Sequence, residues 1–254
     1  MSLLAIMSAY GVAIAQEMKM GEVIIVSNSG LKKGVNADTL QAYITKEVAP
    51  SWNKAKPGVS MHWFRADRGN RKGEFLFVCG ATKLSDRKTL SPGSPFTNTG
   101  LSDVLSNPDS YTEYHLIGAD KFKSLPVVGI LGIHYIKVKP DRSKEFEKFV
   151  IDKLHPAVGQ LLPDMQLLYY KAVAGENTGS YITIFAIESV AARDKYWPSG
   201  APETELLKQT FRPFTGLAAE LGPYLVEGSY LKPEGGAAAY FESKEWTDFI
   251  NQGF

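Results

Sequence analysis

The spacing of hydrophobic residues changes period twice between residues 132 and 187, and these changes predict a succession of elements. Residues 132–138 alternate with a period of two, which predicts a β-strand. From Ser143, an N-cap residue type, apolar residues recur every three or four positions and predict an amphipathic helix. The period returns to two over 165–173 and 181–187. The Gly-Glu-Asn-Thr-Gly sequence between these runs favours a turn, so the runs should form a hairpin.

Two further patterns complete this unit, and a third follows it. Residues 201–221 have helical spacing, and residues 224–231 read as a fourth strand, which gives the βαββαβ order of a ferredoxin-like domain. After a Pro-Glu-Gly-Gly break, apolar residues in 237–254 recur at helical spacing. This pattern predicts a C-terminal helical tail that either straps across the domain or covers a ligand site as a lid.

The first half of the chain repeats the unit without a gap over residues 23–83. Turn-forming and apolar residues recur 106 positions apart, and the match extends to residue character. The pairs are Pro50 and Pro156, Pro57 and Pro163, Gly69 and Gly175, Gly73 and Gly179, Leu40 and Phe146, Ile44 and Val150, Val48 and Leu154, Trp63 and Tyr169, and Arg65 and Lys171. The sequence therefore predicts a tandem duplication.

These patterns predict an α+β protein made of two fused ferredoxin-like βαββαβ units. A lone four-stranded sheet with helices on one face leaves its other face bare, so we expect the two antiparallel sheets to pack face to face as an α/β barrel. The predicted boundaries are 22–120 for the first unit, 127–232 for the second and 233–254 for the helical tail.

The helix after the Lys139-Pro140 turn carries a family resemblance. Its Glu145-Phe146-Glu147-Lys148-Phe149 and Leu154-His155-Pro156-Ala157 segments resemble the first helix of the antibiotic-biosynthesis-monooxygenase and NIPSNAP-like branches of the dimeric α/β-barrel superfamily. The resemblance implies a protein that binds a small aromatic or acidic compound. The monooxygenase branch further implies that such a compound is transformed without a cofactor. A shared fold does not by itself establish either function.

Composition narrows the range of functions. The 254 residues carry 28 Lys and Arg against 27 Asp and Glu, and a net charge of +1 gives no electrostatic basis for binding nucleic acid. Cys79, the single cysteine, excludes an internal disulfide and reads as a small buried residue. We therefore expect a small-molecule or saccharide ligand and allow for a homo-oligomer.

The amino terminus indicates export. Residues 3–15 are apolar and end in Ala-Ile-Ala, which is typical of the core and cleavage site of a secretory signal, so residues 1–15 are predicted to be a signal peptide. A periplasmic or secreted location follows. The first seventeen residues contain no Lys or Arg, and the alternative is an N-terminal helix docked on the barrel. No run in the rest of the sequence is long enough to span a membrane.

Polar residues in the middle of predicted strands are the candidates for chemistry. His62 stands where the second copy has Leu168, and this departure from symmetry makes it the first candidate for a catalytic base, with His134 as the second. Arg65 or Lys171 would stabilise a developing oxyanion. The alternative for each histidine is a hydrogen-bonded core residue.

The same strands predict a binding surface. Cations would hold an anionic group, and aromatic rings would stack on a flat ring or a sugar face. The residues predicted to bind substrate are Trp63, Arg65, Tyr169, Tyr170, Lys171 and His115. The alternative for Arg65 and Lys171 is an ion pair with acids such as Glu74 or Glu188.

No cofactor or metal is predicted. The three strand histidines match no local ligand spacing, and nucleotide-binding glycine motifs and a serine nucleophile elbow are absent from the sequence. His155 occupies a helical position at which the haem-binding branches of the superfamily have a ligand, but the surrounding sequence lacks their pattern.

The function predicted from these observations is an exported small-molecule-binding protein that resembles a cofactor-independent monooxygenase. Two alternatives stay open. One is a periplasmic carbohydrate-active enzyme that performs β-elimination on a uronate with His or Tyr as base and Arg or Lys beside the carboxylate. The other is a non-catalytic binding or assembly protein.

Overall fold

The fold is known from a computed structural model. It describes residues 18–55, 59, 61–81, 83–89, 100–108, 110–118, 125–127, 129–157, 165–198, 205–206, 209, 212, 215–226 and 246–251. The strands are β1 Met18–Met20, β2 Val23–Ser29, β3 Met61–Gly69, β4 Phe75–Ala81, β5 Thr112–Leu116, β6 Leu125–Val127, β7 Ile130–Ile136, β8 Met165–Gly175, β9 Tyr181–Ile187 and β10 Trp246–Asn251. The α-helices are α1 Ala37–Tyr43, α2 Ala49–Ala55, α3 Ser143–Phe149, α4 Val190–Tyr196 and α5 Thr215–Leu221.

Shorter helical turns complete the description. Ile44–Val48 continues α1 as a π-helical turn into α2, and Val150–Leu154 continues α3 in the same way. Single 3₁₀ segments lie at Leu84–Thr89, Leu101–Asp103, Pro140–Arg142 and Gly222–Tyr224. No helix among the described residues is long and apolar enough to cross a membrane.

Eight antiparallel strands form one closed barrel in the order β10-β3-β4-β2-β5-β8-β9-β7, and β7 pairs with β10. Within it, β3-β4-β2-β5 and β8-β9-β7-β10 each have the strand order of a ferredoxin-like sheet. The halves join edge to edge at two seams, β5 with β8 and β10 with β3. The predicted pair of ferredoxin-like units in one α/β barrel is confirmed, and closure leaves none of these eight strands with an open edge.

The duplication is visible in the backbone. The π-helical turns at Ile44–Val48 and Val150–Leu154 lie 106 residues apart. The hairpin glycines have nearly identical positive φ angles, 93° and 92° at Gly69 and Gly175 and 90° and 85° at Gly73 and Gly179. Positive φ strains most residues other than glycine, so both hairpins depend on the same two glycines.

Both faces of the barrel wall are buried. The interior is filled by side chains from every strand, among them Phe64, Leu168, Tyr170 and Phe249. The outer face of the first half packs against α1 and its π-helical turn through Leu40, Ile44 and Val48, and the outer face of the second half packs against the equivalent residues of α3 and its turn.

The carboxyl-terminal prediction was wrong. Residues 246–251, expected in a helical tail, form strand β10 and complete the second sheet. The predicted fourth strand, 224–231, begins instead in the 3₁₀ segment Gly222–Tyr224, and residues 227–231 lie outside the described part. The physical reason is that β10 is buried on both sides, with Phe249 inside the barrel and Asp248 in an ion-pair network outside, so its sequence does not alternate.

The residues predicted as the signal peptide, 1–15, lie outside the described part of the chain.

Candidate functional site

The predicted catalytic histidines face opposite sides of the barrel wall. His62 lies opposite Val78, a residue of the barrel interior, so its side chain enters the barrel. His134 lies on the outer face of β7, between Thr183 on β9 and Trp246 on β10. The structure therefore does not bring the two imidazoles to one site.

Both histidines are neutral bases at physiological pH. His62 is 9% exposed and His134 is 6% exposed. Burial lowers the pKa of each to about 4, because the charged form loses its hydration. The Nε2 atom of each is buried and has no hydrogen-bond partner among the described residues.

The predicted aromatic ligands belong to the core. Tyr170 fills the barrel interior and donates a hydrogen bond from its hydroxyl to the Gly21 carbonyl at 2.9 Å, and burial raises its pKa. Trp63 is 2% exposed under the first-half helix. Tyr169 is 3% exposed, with its ring centroid 5.6 Å from that of His155. These rings are not available for stacking on a ligand in this conformation.

The β5–β8 seam holds Lys171 and His115, which face each other across the two strands. The Lys171 Nζ atom lies 2.7 Å from the Glu147 Oε1 atom, and the Tyr181 hydroxyl donates to the same oxygen at 2.7 Å. His115 Nε2 lies 2.8 Å from a carboxylate oxygen of Glu113. Lys171 thus has the ion pair that was the structural alternative, although with an acid on α3.

The β10–β3 seam holds a cavity of about 350 Å³. It is lined by Arg65, Ala66, Asp67, Lys72, Gly73 and Ile250. Arg65 is exposed on the outer face of β3 and lies opposite Ile250 of β10. Of the predicted ligand-binding residues, Arg65 is the one that this cavity contains.

The carboxylate of Asp67 is already paired. Its Oδ2 atom accepts a hydrogen bond from Arg193 Nη1 at 3.0 Å, and Arg193 also contacts Asp194 at 2.8 Å and Asp248 at 3.6 Å. Arg68 forms a second ion pair with Asp248. Burial alone would lower the pKa of Arg193, but these acids outweigh it and raise the pKa. The Asp67 carboxylate on the cavity wall is thus ion-paired, although the network sets two arginines against three aspartates.

By contrast, neither Arg65 nor Lys72 has an acidic partner among the residues that the structure describes. Within the described part of the chain, these two cations of the cavity lining therefore have no acid paired with them. Sequence reasoning missed Asp67 and Ile250 as lining residues. The alternation of β3 places Asp67 on the face of Arg65, but Ile250 could not be found while β10 was read as a helix.

Comparisons with known proteins were made for the whole chain. No family model matches it, and no curated protein matches it. Several solved structures match the chain in fold. A candidate monooxygenase from Lactobacillus acidophilus NCFM has a TM-score of 0.48 at 10% identity over 91% of this chain and 94% of its own. An anthrone oxidase-like protein has a TM-score of 0.46 at 11% identity over 90% of each chain.

A third structure bears on the cofactor. A novel haem-binding protein from Thermus thermophilus has a TM-score of 0.45 at 8% identity and covers 94% of each chain. At these identities the likeness shows the fold alone.

The chain has the fold of a dimeric α/β barrel. Its strand order and closure show two ferredoxin-like sheets joined in one barrel. One of the solved structures that this chain resembles is a haem-binding protein, so the prediction of no cofactor is contradicted and is withdrawn.

The residues described here nevertheless do not fit haem. The cavity at the β10–β3 seam has no histidine in its lining. His155 packs against Tyr169, and a Cβ atom added to Gly118 would lie 3.8 Å from its Nδ1 atom, so the backbone lies close to one edge of the imidazole. As for a metal ion held by side chains alone, no group of three or more metal-ligating side chains occurs in the described part of the chain.

Proposed function

We propose that this protein binds a small anionic organic compound in the cavity at the β10–β3 seam. The observation that carries the proposal is the pair of cations, Arg65 and Lys72, beside an acid that is already ion-paired with Arg193. A cavity of about 350 Å³ lies at the lower end of the volumes that hold small ligands. A compound with a single ring suits that volume.

The lining supports an amphipathic ligand. A guanidinium group presents two parallel N–H donors that match the two oxygens of a carboxylate, and Arg65 supplies that group. Ile250 supplies an apolar wall on the facing strand. The anion would lie on Arg65 and Lys72, and the hydrocarbon part would lie against Ile250.

Oxygenation of the ligand is the finer proposal. His62 enters the barrel on the opposite face of β3 from Arg65, so proton abstraction by its neutral imidazole would require a ligand that reaches the barrel interior. His134 is a weaker candidate beside this cavity. Along β10 its neighbour Trp246 lies four residues from Ile250, roughly 13 Å away at the rise of a β-strand. Export and the carbohydrate and assembly alternatives remain predictions.

Binding is tested by titrating the protein with benzoate, with benzamide and benzylamine as neutral and cationic analogues of the same shape. Amide and methyl NMR shifts locate the site. We expect benzoate to shift residues 65–73 and the Ile250 methyl groups, and Arg65→Met to weaken it at least tenfold, because a hydrogen bond to a charged group contributes about 1.5–3 kcal/mol.

Lys46→Met, which removes an exposed cation from the first π-helical turn, is the matched control and should leave affinity unchanged. Equal binding of all three analogues, or benzoate shifts elsewhere on the barrel, would refute the proposal.

A further inference from the structure

We infer that the group recognised at Arg65 is a carboxylate, because the second half of the chain fills the equivalent position with a carboxylate of its own. The inference rests on the proposed function and specifies the chemical class of its ligand. Its evidence is the comparison of the two seams, which the duplication makes equivalent.

The equivalence of the seams is structural. At the β10–β3 seam the register shifts between Asp248 and Phe249, which leaves Asp67 as the extra residue of a β-bulge. At the β5–β8 seam the register shifts between Glu113 and Tyr114, which leaves Val173 as the extra residue. Asp67 and Val173 are 106 residues apart, the offset of the whole duplication. Arg65 and Lys171 are related by the same offset, two residues before each bulge.

The surroundings of the two cations differ. Lys171 is held by Glu147, whose Oε1 atom also accepts from the Tyr181 hydroxyl. The positions 106 residues earlier are Gln41 on α1 and Phe75 on β4. The first half therefore keeps the cation and replaces its carboxylate with an exposed amide.

These replacements indicate which chemical group would compensate the cation at the first seam. The second copy shows that the barrel wall at this point accommodates one carboxylate against the seam cation. Phe75 in place of Tyr181 removes a competing hydroxyl, and Ile250 faces Arg65 at the position where His115 faces Lys171. At these three positions the first seam is thus less polar than the second, although its bulge residue is Asp67 where the second seam has Val173. A carboxylate attached to an apolar body would restore the charge balance.

The experiment installs the internal carboxylate in the first half. Gln41→Glu places it where Glu147 lies in the second half, and we expect the dissociation constant for benzoate to rise at least tenfold. Gln41→Leu removes the amide without adding charge and should leave it unchanged. In the converse variant, Glu147→Gln, a second benzoate site should appear, with shifts at Tyr181.

Inorganic phosphate and acetate separate the classes of anion. Acetate should shift Arg65 and its neighbours at lower concentration than phosphate, and tighter binding of phosphate would overturn the inference. An unchanged benzoate constant in Gln41→Glu would overturn it too, while the loss of binding in Arg65→Met would still support the proposed function. If no anion shifts the lining of the cavity in the parent protein, the proposed function itself falls.

The internal contact also has a test that needs no ligand. Gln41→Glu should raise the melting temperature, and this gain should disappear in the Arg65→Met background and in high salt. A gain that persists without Arg65 would mean that the installed carboxylate does not reach the cation, and the equivalence of the seams would be refuted.

Discussion

Replacing Arg193 by methionine should destabilise the barrel more than any exposed charge substitution. Arg193 is 3% exposed and joins α4 to two strands of the β10–β3 seam, through Asp67 on β3 and Asp248 on β10. Asp248 is 2% exposed, and when Arg193 is removed the cation that the described residues still place against it is Arg68. An acid buried with too little compensating charge destabilises the folded state.

The size of the effect follows from that burial. Removing one partner of a buried ion pair costs about 3–5 kcal/mol, and because Arg68 remains we expect about 3 kcal/mol for Arg193→Met. For a chain of this length, that corresponds to a fall in melting temperature of roughly 6–12 °C. Urea unfolding followed by tryptophan fluorescence measures the free energy, and calorimetry measures the temperature.

Two further variants separate charge from packing. Lys148→Met breaks an exposed ion pair between α3 and Asp152 of the π-helical turn that follows it, and should cost less than about 1 kcal/mol. Asp248→Asn in the Arg193→Met background removes the undercompensated charge and should recover at least about 1 kcal/mol relative to the sum of the single variants. If Arg193→Met costs no more than Lys148→Met, or if the effects simply add, the buried network does not stabilise the seam.

Acid should destabilise the protein from pH 6.5 downwards. Burial lowers the pKa of His62, His134 and His155 to about 4, so the unfolded chain binds more protons between pH 6.5 and 4, and the stability present above 6.5 is lost across that window. His134→Gln should reduce the loss of unfolding free energy between pH 6.5 and 4, measured by urea unfolding, by about 3 kcal/mol. An unchanged loss would contradict this. Gly175→Ala should unfold the hairpin, because its Cβ would lie 2.3 Å from a backbone oxygen. Gly179→Ala, with nothing within 4 Å, should cost only the strain of positive φ, about 1–2 kcal/mol, and equal losses by thermal melting would refute the contrast.

The positions of the turns were predicted well from the sequence. Gly69 and Gly175 were paired by position alone, and the structure gives them φ angles one degree apart. The buried stripe of the helices was predicted equally well, since Leu40 and Phe146 each have no exposed surface. Both signals arise from contacts within one unit, so they depend on short stretches of chain and survive duplication.

The faces of the sheet could be separated but not identified. Alternation correctly set Trp63 and Arg65 apart from His62, yet it could not show which set enters the barrel. The reason is that helices cover the outside while side chains from the opposite strands fill the inside, so both faces are apolar. The cavity escaped prediction for a related reason, because Ile250 meets Arg65 through a strand pairing across 185 positions of the sequence.

The differences between the two halves of the chain indicate the proposed site more clearly than any single residue type does. Each seam has a register shift beside a buried acid, Glu113 or Asp248, and each acid is paired with arginine, so these features are explained by barrel closure alone. Closure does not explain why one seam compensates its cation internally and the other leaves Arg65 beside a cavity. The first seam has Gln41 where the second has Glu147, so its cation lacks that internal carboxylate. The proposed anion from outside the chain would supply at the first seam the charge that Glu147 supplies at the second.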